Sequence, residues 1–159
     1  MDTKVLAELH IEAPVEEVYA FAADLEHFNE LKSSPMRGRY QTVEKTPEGV
    51  GSTFRAYAHL VGGLYYETTG RVIEAVPNER VAFTTEGRVM ETLMMGTFVF
   101  RMQPDGSGTR LTVEYTPPTI EKIPVIGGAL GSLIDKEMVR EHDPVWAELK
   151  QVLEAKQAA

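Results

Sequence analysis

The stretch STFRAYAHLVGGLYYETTGRVIEAV, residues 52–76, sets the architecture of this chain. Two runs with many β-branched and aromatic residues flank Gly62-Gly63, and a two-residue glycine connection is typical of a tight hairpin. Parallel strands need a long crossover, so the runs 52–61 and 64–76 are predicted to pair antiparallel. Side chains alternate between the two faces of each strand, and a bulge is expected near Gly70.

The same alternation predicts further strands on both sides of this hairpin. They cover residues 5–11, 40–45, 80–86, 91–102 and 109–116. Turn residues such as Pro77-Asn78 separate consecutive strands. After Pro14 the apolar period changes to that of a helix over residues 15–22, and Asp24 is placed to cap a second short helix. The order is therefore one strand, two short helices and six strands joined by hairpins.

The C-terminal part of the chain has helical periodicity, with apolar residues three or four positions apart between 130 and 153. Pro144 is expected to kink or split this helix, or to begin a fresh one with Asp143 as its cap. One helix covers seven strands only if the sheet curls round it. The predicted class is α+β, a curved seven-stranded antiparallel sheet around a long C-terminal helix, in a single domain over residues 1–159.

The composition excludes several classes of function. The chain has 16 Lys and Arg against 24 Asp and Glu, a net charge of −8 that opposes nucleic-acid binding. It has no cysteine, and its four histidines lie far apart, so we expect neither a metal site nor a cofactor. Residues 1–14 lack the features of a signal peptide and no apolar run is long enough to span a bilayer. We therefore expect a cytoplasmic protein.

Several stretches carry a resemblance to a known superfamily. They are residues 11–19 leading into Asp24-Leu25, and residues 49–55, 76–83, 104–113 and 128–134. In this order they resemble the helix-grip proteins, the START-like and Bet v 1-like (SRPBCC) superfamily, with its polyketide cyclase/dehydrase-like family. The resemblance implies a cavity between sheet and helix for an apolar molecule such as a lipid, sterol, polyketide or quinone. A minority of these proteins are cyclases, dehydratases or hydrolases.

Alternation along residues 52–76 predicts which side chains line that cavity. If Phe54 faces the helix, small residues at 56, 58, 68 and 70 share its face and leave volume unfilled, as a ligand cavity requires. Methionines suit a deformable wall, and Tyr115 and His142 offer polar atoms. The predicted ligand-binding residues are Phe28, Phe54, Ala56, Ala58, Tyr66, Thr68, Met94, Phe98, Phe100, Tyr115, Met138 and His142.

Three functions stay open at this point. The leading one is the binding of a small hydrophobic ligand, with little or no catalysis. The second is a polyketide cyclase or dehydratase, in which the opposite strand register turns four acid–base candidates inward: Arg55, Tyr57, His59 and Glu67. The third is a partner-binding protein with an exposed apolar loop, since residues 120–126 suit a gate, a homodimer contact or a helix start.

Overall fold

The computed structural model describes residues 3–33, 40–61, 64–89, 92–120 and 127–158. Within these ranges, side chains are described except at 58–61, 64–65, 89, 92–94, 117–120, 127–135 and 137–143. The strands are β1 (Lys4–Ile11), β2 (Gln41–Glu44), β3 (Thr53–Val61), β4 (Leu64–Val76), β5 (Arg80–Val89), β6 (Thr92–Asp105) and β7 (Gly108–Ile120). The helices are α1 (Val15–Ala23), a 3-10 helix (Leu25–Glu30) and α2 (Gly127–Ala158).

The described strands form one seven-stranded antiparallel sheet in the order β1-β7-β6-β5-β4-β3-β2. Strands β2 to β6 each pair with the next strand along the chain, while β1 lies beside β7. Val61 pairs with Leu64, which confirms the two-residue hairpin, although Gly62 and Gly63 themselves lie outside the described residues. The predicted α+β class, with a curved sheet and a C-terminal helix, is confirmed.

Strand β4 carries the bulge expected near Gly70, although Gly70 itself is not the irregular residue. Its register with β5 shifts between Val72 and Glu74, while Gly70 pairs regularly with Phe54 on one side and Thr85 on the other. A Cβ at Gly70 would lie 2.0 Å from Cζ of Phe54. Glycine is therefore needed here because an aromatic ring lies against its backbone, which is a second common reason for glycine in a strand.

The two short helices begin as predicted. Helix α1 follows Pro14, whose carbonyl accepts a hydrogen bond from the backbone N–H of Val18 at 3.2 Å. Asp24 then caps the 3-10 helix, because its Oδ1 accepts from the backbone N–H of Glu26 at 3.1 Å. The apolar residues at the spacing expected for burial are indeed buried: Leu25, Phe28 and Leu31.

Helix α2 continues through Pro144 as one element. The alternative of a fresh helix beginning at Asp143-Pro144 is therefore wrong. A proline inside a helix costs about 3 kcal/mol, whereas each large apolar side chain that becomes buried contributes about 1.5–3 kcal/mol. Packing outweighs the cost, because four residues after the proline are buried in the core: Val145, Trp146, Leu149 and Leu153.

The core lies between the helices and one face of the sheet, which we call the inner face. The inner face carries Phe54, Phe83 and Phe100, and these residues belong to the same buried cluster as Trp146 of α2. The opposite face, called the outer face, carries exposed charged residues such as Arg55. The sheet therefore has one buried and one solvated side, as is common for antiparallel sheets.

Candidate functional site

The strand register arranges the inner face in rows that cross the sheet. One row consists of the successive Cα partners Phe54, Gly70, Thr85 and Gly96. The neighbouring row consists of Val72, Phe83, Phe98 and Tyr115. Side chains on one face of a strand repeat every second residue, so these rows lie next to each other. Small residues in the middle of the first row thus lie beside a row of large ones.

The second row is part of a continuous aromatic wall. Phe83 stacks on Phe98 with ring centroids 5.2 Å apart, and the Phe98 ring lies 4.9 Å from that of Tyr115. From the helix side, the ring of Trp146 meets that of Phe100 edge-on at 5.9 Å. Each aromatic pair of this kind contributes about 0.5–1.5 kcal/mol beyond simple burial. The wall is therefore a well-fixed apolar surface.

The described inner-face glycines differ in what fills the space above them. The ring of Phe54 covers Gly70, and the ring of Tyr66 covers Gly87, where a Cβ would lie 2.8 Å from Cε2 of the tyrosine. The nearest atoms to a Cβ at Gly96 would be 3.6 Å away, an ordinary van der Waals distance. The expectation that Gly70 leaves volume unfilled is therefore wrong, whereas a Cβ would fit at Gly96 without a clash.

Solvent exposure divides the inner face into a tightly packed end and a looser end. Phe100, Leu111 and Val113 are at most 2% exposed. Residues of the looser end are only half-buried although they point toward the interior: Tyr66, Thr85, Gly96 and Phe98. Protein interiors are normally close-packed. The residual exposure of these four residues therefore shows that solvent reaches this end of the inner face.

Hydroxyl groups supply polar atoms to this interior. The Oγ of Thr68 donates a hydrogen bond to the carbonyl of Ala56 at 3.2 Å and is satisfied by it. Burial raises the pKa of Tyr40 to about 12, and it also raises the pKa of Tyr66, because the phenolate would lose its hydration. These phenols stay neutral near pH 7, so they are suited to hydrogen bonding rather than to acting as bases.

Most predicted ligand-binding residues lie on the inner face or in the core next to it. Those that are buried are Phe28, Phe54, Ala56, Thr68, Phe100 and Tyr115, while Tyr66 and Phe98 are half-buried. The side chains of four others lie outside the described part of the structure: Ala58, Met94, Met138 and His142. Contact between any of these residues and a ligand stays a prediction.

The residues predicted for acid–base chemistry point away from the interior. Arg55 and Glu67 face each other on the outer face with an N to O distance of 4.0 Å, and their side chains are 57% and 58% exposed. Tyr57 is exposed on the same strand, and the side chain of His59 lies outside the described residues. The register that turns this set inward is not adopted, because Phe54 takes the inner position.

A groove of about 400 Å³ lies on the outer face. Polar and charged side chains form much of its lining, among them Thr53, Arg55, Thr69, Arg71 and Glu86. Ligand sites for apolar molecules are mostly apolar and bury most of the ligand. An apolar molecule in this groove would keep much of its surface in water. The groove therefore does not suit the ligand class that the sequence predicts.

Sequence reasoning missed a charged cluster around His10. Its Nδ1 lies 2.9 Å from Oδ2 of Asp105 and its Nε2 lies 2.5 Å from Oε1 of Glu12. These hydrogen bonds, with Asp105 first, raise the pKa of His10. Nζ of Lys150 on α2 donates to the carbonyl of His10 at 2.6 Å. Both ring nitrogens are hydrogen-bonded to carboxylates. Together with the Lys150 contact, these bonds connect β1, the β6–β7 hairpin and α2. Within the described ranges no group of residues suits a metal ion.

Helix-grip proteins pack one face of an antiparallel sheet on a long C-terminal helix. The described part of this chain has that arrangement, with an aromatic wall on the packed face. The family model for polyketide cyclase/dehydrase and lipid transport proteins matches residues 2–154. The chain belongs to this family.

Solved structures show the same fold. TTHA0849 from Thermus thermophilus is 25% identical with a TM-score of 0.73, and the match covers 98% of this chain and 99% of that one. CV1439 from Chromobacterium violaceum is 20% identical with a TM-score of 0.62, covering 96% of both chains. StfQ, a di-domain ARO/CYC protein of the steffimycin biosynthetic pathway, is 14% identical with a TM-score of 0.71, covering 98% of this chain and 52% of StfQ.

No curated protein sequence matches this chain. None of the described helices has the length and apolar composition that crossing a membrane requires.

Proposed function

We propose that this protein binds a small hydrophobic molecule in the interior between the inner face of the sheet and α2. The observation that carries the proposal is the looser end of the inner face, where Thr85, Gly96 and Phe98 point inward and yet are only half-buried. An incompletely filled apolar interior is what a ligand pocket needs and what a plain core avoids. The family, described as polyketide cyclase/dehydrase and lipid transport, supports this function.

Apolar burial supplies the affinity of such a site. A ligand that loses roughly 300–400 Å² of apolar surface to the aromatic wall gains about 8–10 kcal/mol, before the cost of its lost motion. Before that cost, the gain corresponds to a dissociation constant of about a micromolar or below, and the lost motion weakens the binding from there. The stacked rings of Phe83 and Phe98 are already held in place by each other, so little side-chain order has to be created on binding.

The described polar groups favour binding over acid–base catalysis. A general acid or base works best with a pKa near the operating pH. The hydroxyls of Thr68 and Thr85 do not ionise near neutrality, and burial raises the pKa of Tyr66 further from it. Arg55 and Glu67, which the cyclase hypothesis needs inside, lie on the outer face. The residues described on the inner face thus suit the solvation of a ligand rather than proton transfer to it.

Two experiments test the proposal. Native mass spectrometry after gentle purification should show a bound molecule, which extraction then identifies. A titration with the neutral fluorescent probe N-phenyl-1-naphthylamine compares the wild type with Gly96→Leu, which fills the space above Gly96. We expect Gly96→Leu to weaken probe binding at least about tenfold, since it removes roughly the volume of four carbon atoms from the site.

The control is Thr97→Leu, which places the same leucine side chain at the next residue but on the outer face. It should leave the affinity for the probe unchanged. A wild-type protein that carries no molecule and binds no probe at micromolar concentration contradicts the proposal. So does a Gly96→Leu variant that is folded and binds the probe as the wild type does.

A further inference from the structure

Thr85 occupies the centre of the looser end of the inner face. It lies in β5 between Gly70 on β4 and Gly96 on β6. On the Gly70 side, the ring of Phe54 covers the sheet. On the other side, a Cβ placed at Gly96 would lie 3.7 Å from Oγ of Thr85 and 3.6 Å from the ring of Tyr115. The hydroxyl of Thr85 therefore borders the same space that the proposed ligand would fill.

The Thr85 hydroxyl has no hydrogen-bond partner among the described residues. Its neighbours on the inner face explain this, because they present aromatic rings or no side chain at all: the Phe54 ring above Gly70, the bare backbone at Gly96 and the Phe83 ring two residues earlier. Thr85 is half-buried and its hydroxyl is not one of the described buried polar atoms that lack a partner, so water can reach it before a ligand binds. A ligand that displaces this water without replacing its hydrogen bond loses affinity.

Thr68 provides an internal comparison. It lies on the same face and is also a threonine, but its Oγ donates to the carbonyl of Ala56 at 3.2 Å. The Thr68 hydroxyl is thus satisfied within the sheet, whereas the Thr85 hydroxyl is available to the interior. Of the two threonines, only Thr68 is among the residues that the sequence predicts as ligand contacts.

We propose that Thr85 determines ligand specificity by hydrogen bonding, so that the site prefers apolar molecules bearing a hydroxyl or carbonyl oxygen over plain hydrocarbons of the same shape. This inference rests on the proposed function. An apolar surface discriminates only weakly between molecules of similar size. A site that hydrogen-bonds its ligand discriminates more strongly, because a ligand without the matching atom leaves a polar group of the site unpaired. Thr85 therefore supplies selectivity, and the aromatic wall supplies most of the affinity.

The test uses two probes of nearly equal shape, 2-naphthol and 2-methylnaphthalene, whose binding is followed by naphthalene fluorescence. The wild type should bind 2-naphthol roughly 3–10-fold more tightly than 2-methylnaphthalene, the range that a net hydrogen bond supports. Thr85→Val replaces the hydroxyl by a methyl group of similar volume and should reduce this ratio to about 1 or below, because the hydroxyl of 2-naphthol then lacks its partner. Thr85→Ser keeps the hydroxyl and should preserve the preference.

Thr84→Val, at the neighbouring residue of β5 on the outer face, is the matched control and should leave the ratio of the two affinities as in the wild type. If Thr85→Val, folded by its thermal transition, keeps the wild-type preference, the role of Thr85 is refuted while the binding function stands. The same holds if the wild type binds both probes equally well. If the wild type binds neither probe and carries no co-purified molecule, both the proposed function and this inference fail.

Discussion

Replacing Gly70 by alanine should strongly destabilise the protein, although it adds one methyl group. The new Cβ would lie 2.0, 2.3 and 2.6 Å from Cζ, Cε2 and Cε1 of Phe54, so the ring has to leave its place. Forcing an extra carbon into a packed core costs about 1–3 kcal/mol. Displacing the ring also breaks its edge-on pair with Phe83 at 5.6 Å, worth about 0.5–1.5 kcal/mol. We therefore expect a loss of about 2–4 kcal/mol in the free energy of unfolding.

Urea denaturation followed by circular dichroism measures this loss. Two further variants test whether the clash with the Phe54 ring causes it. Gly96→Ala adds the same methyl group where the nearest atoms are 3.6 Å away, and it should change stability by less than about 1 kcal/mol. In the double variant Gly70→Ala/Phe54→Leu, the two effects should be less than additive, because the clash is relieved. A Gly70→Ala protein that unfolds at the wild-type urea concentration would refute the reasoning about the ring.

Three other outcomes follow from the packing and the charges. The pKa of His10 is raised in the folded protein, so the stability that it contributes is present at low pH and is lost as pH rises through that pKa. Urea denaturation midpoints measured from about pH 6 to 9 should therefore fall in the wild type, and they should fall less in His10→Gln. Glu148 has a lowered pKa because it accepts from Ser33, so Glu148→Gln should lower the midpoint at pH 7 and lose part of the acid sensitivity below about pH 5. Trp146→Ala, which empties a buried site against Phe100, should cost roughly 3–5 kcal/mol in urea denaturation.

The hairpin of β3 and β4 shows how much the sequence alone can establish. Alternation within residues 52–76 correctly predicts that Phe54, Ala56 and Thr68 share the buried face, because one face of the strand pair is apolar and the other is charged. Gly70 was misinterpreted for a physical reason. A missing side chain is compatible with a bulge, with empty space or with a covering ring, and only the position of Phe54 in space distinguishes them.

Thr85 and His10 were missed for different reasons. Strand β5 contains three consecutive buried apolar residues just before Thr85: Val81, Ala82 and Phe83. Apolar and polar residues do not alternate there, so the sequence does not show which face Thr85 occupies. The side chain of His10 contacts that of Asp105, which lies 95 positions later in the sequence, and no local sequence pattern predicts such a contact. Local periodicity thus predicts the faces of regular strands, whereas contacts between distant segments require the assembled fold.

The position of β1 at the edge beside β7 has a consequence for how the protein is made. Lys4 pairs with Tyr115, so β1 leaves the ribosome before its partner, which lies roughly 110 positions later and takes about 5–20 s more to synthesise at ordinary rates. During this interval Leu6 and Ile11, buried in the final fold, have no sheet to cover them. The nascent chain therefore exposes the apolar side chains of β1 while the hairpins from β2 to β7 assemble. Chaperone supply during expression is expected to matter more for the yield of this protein than for its final stability.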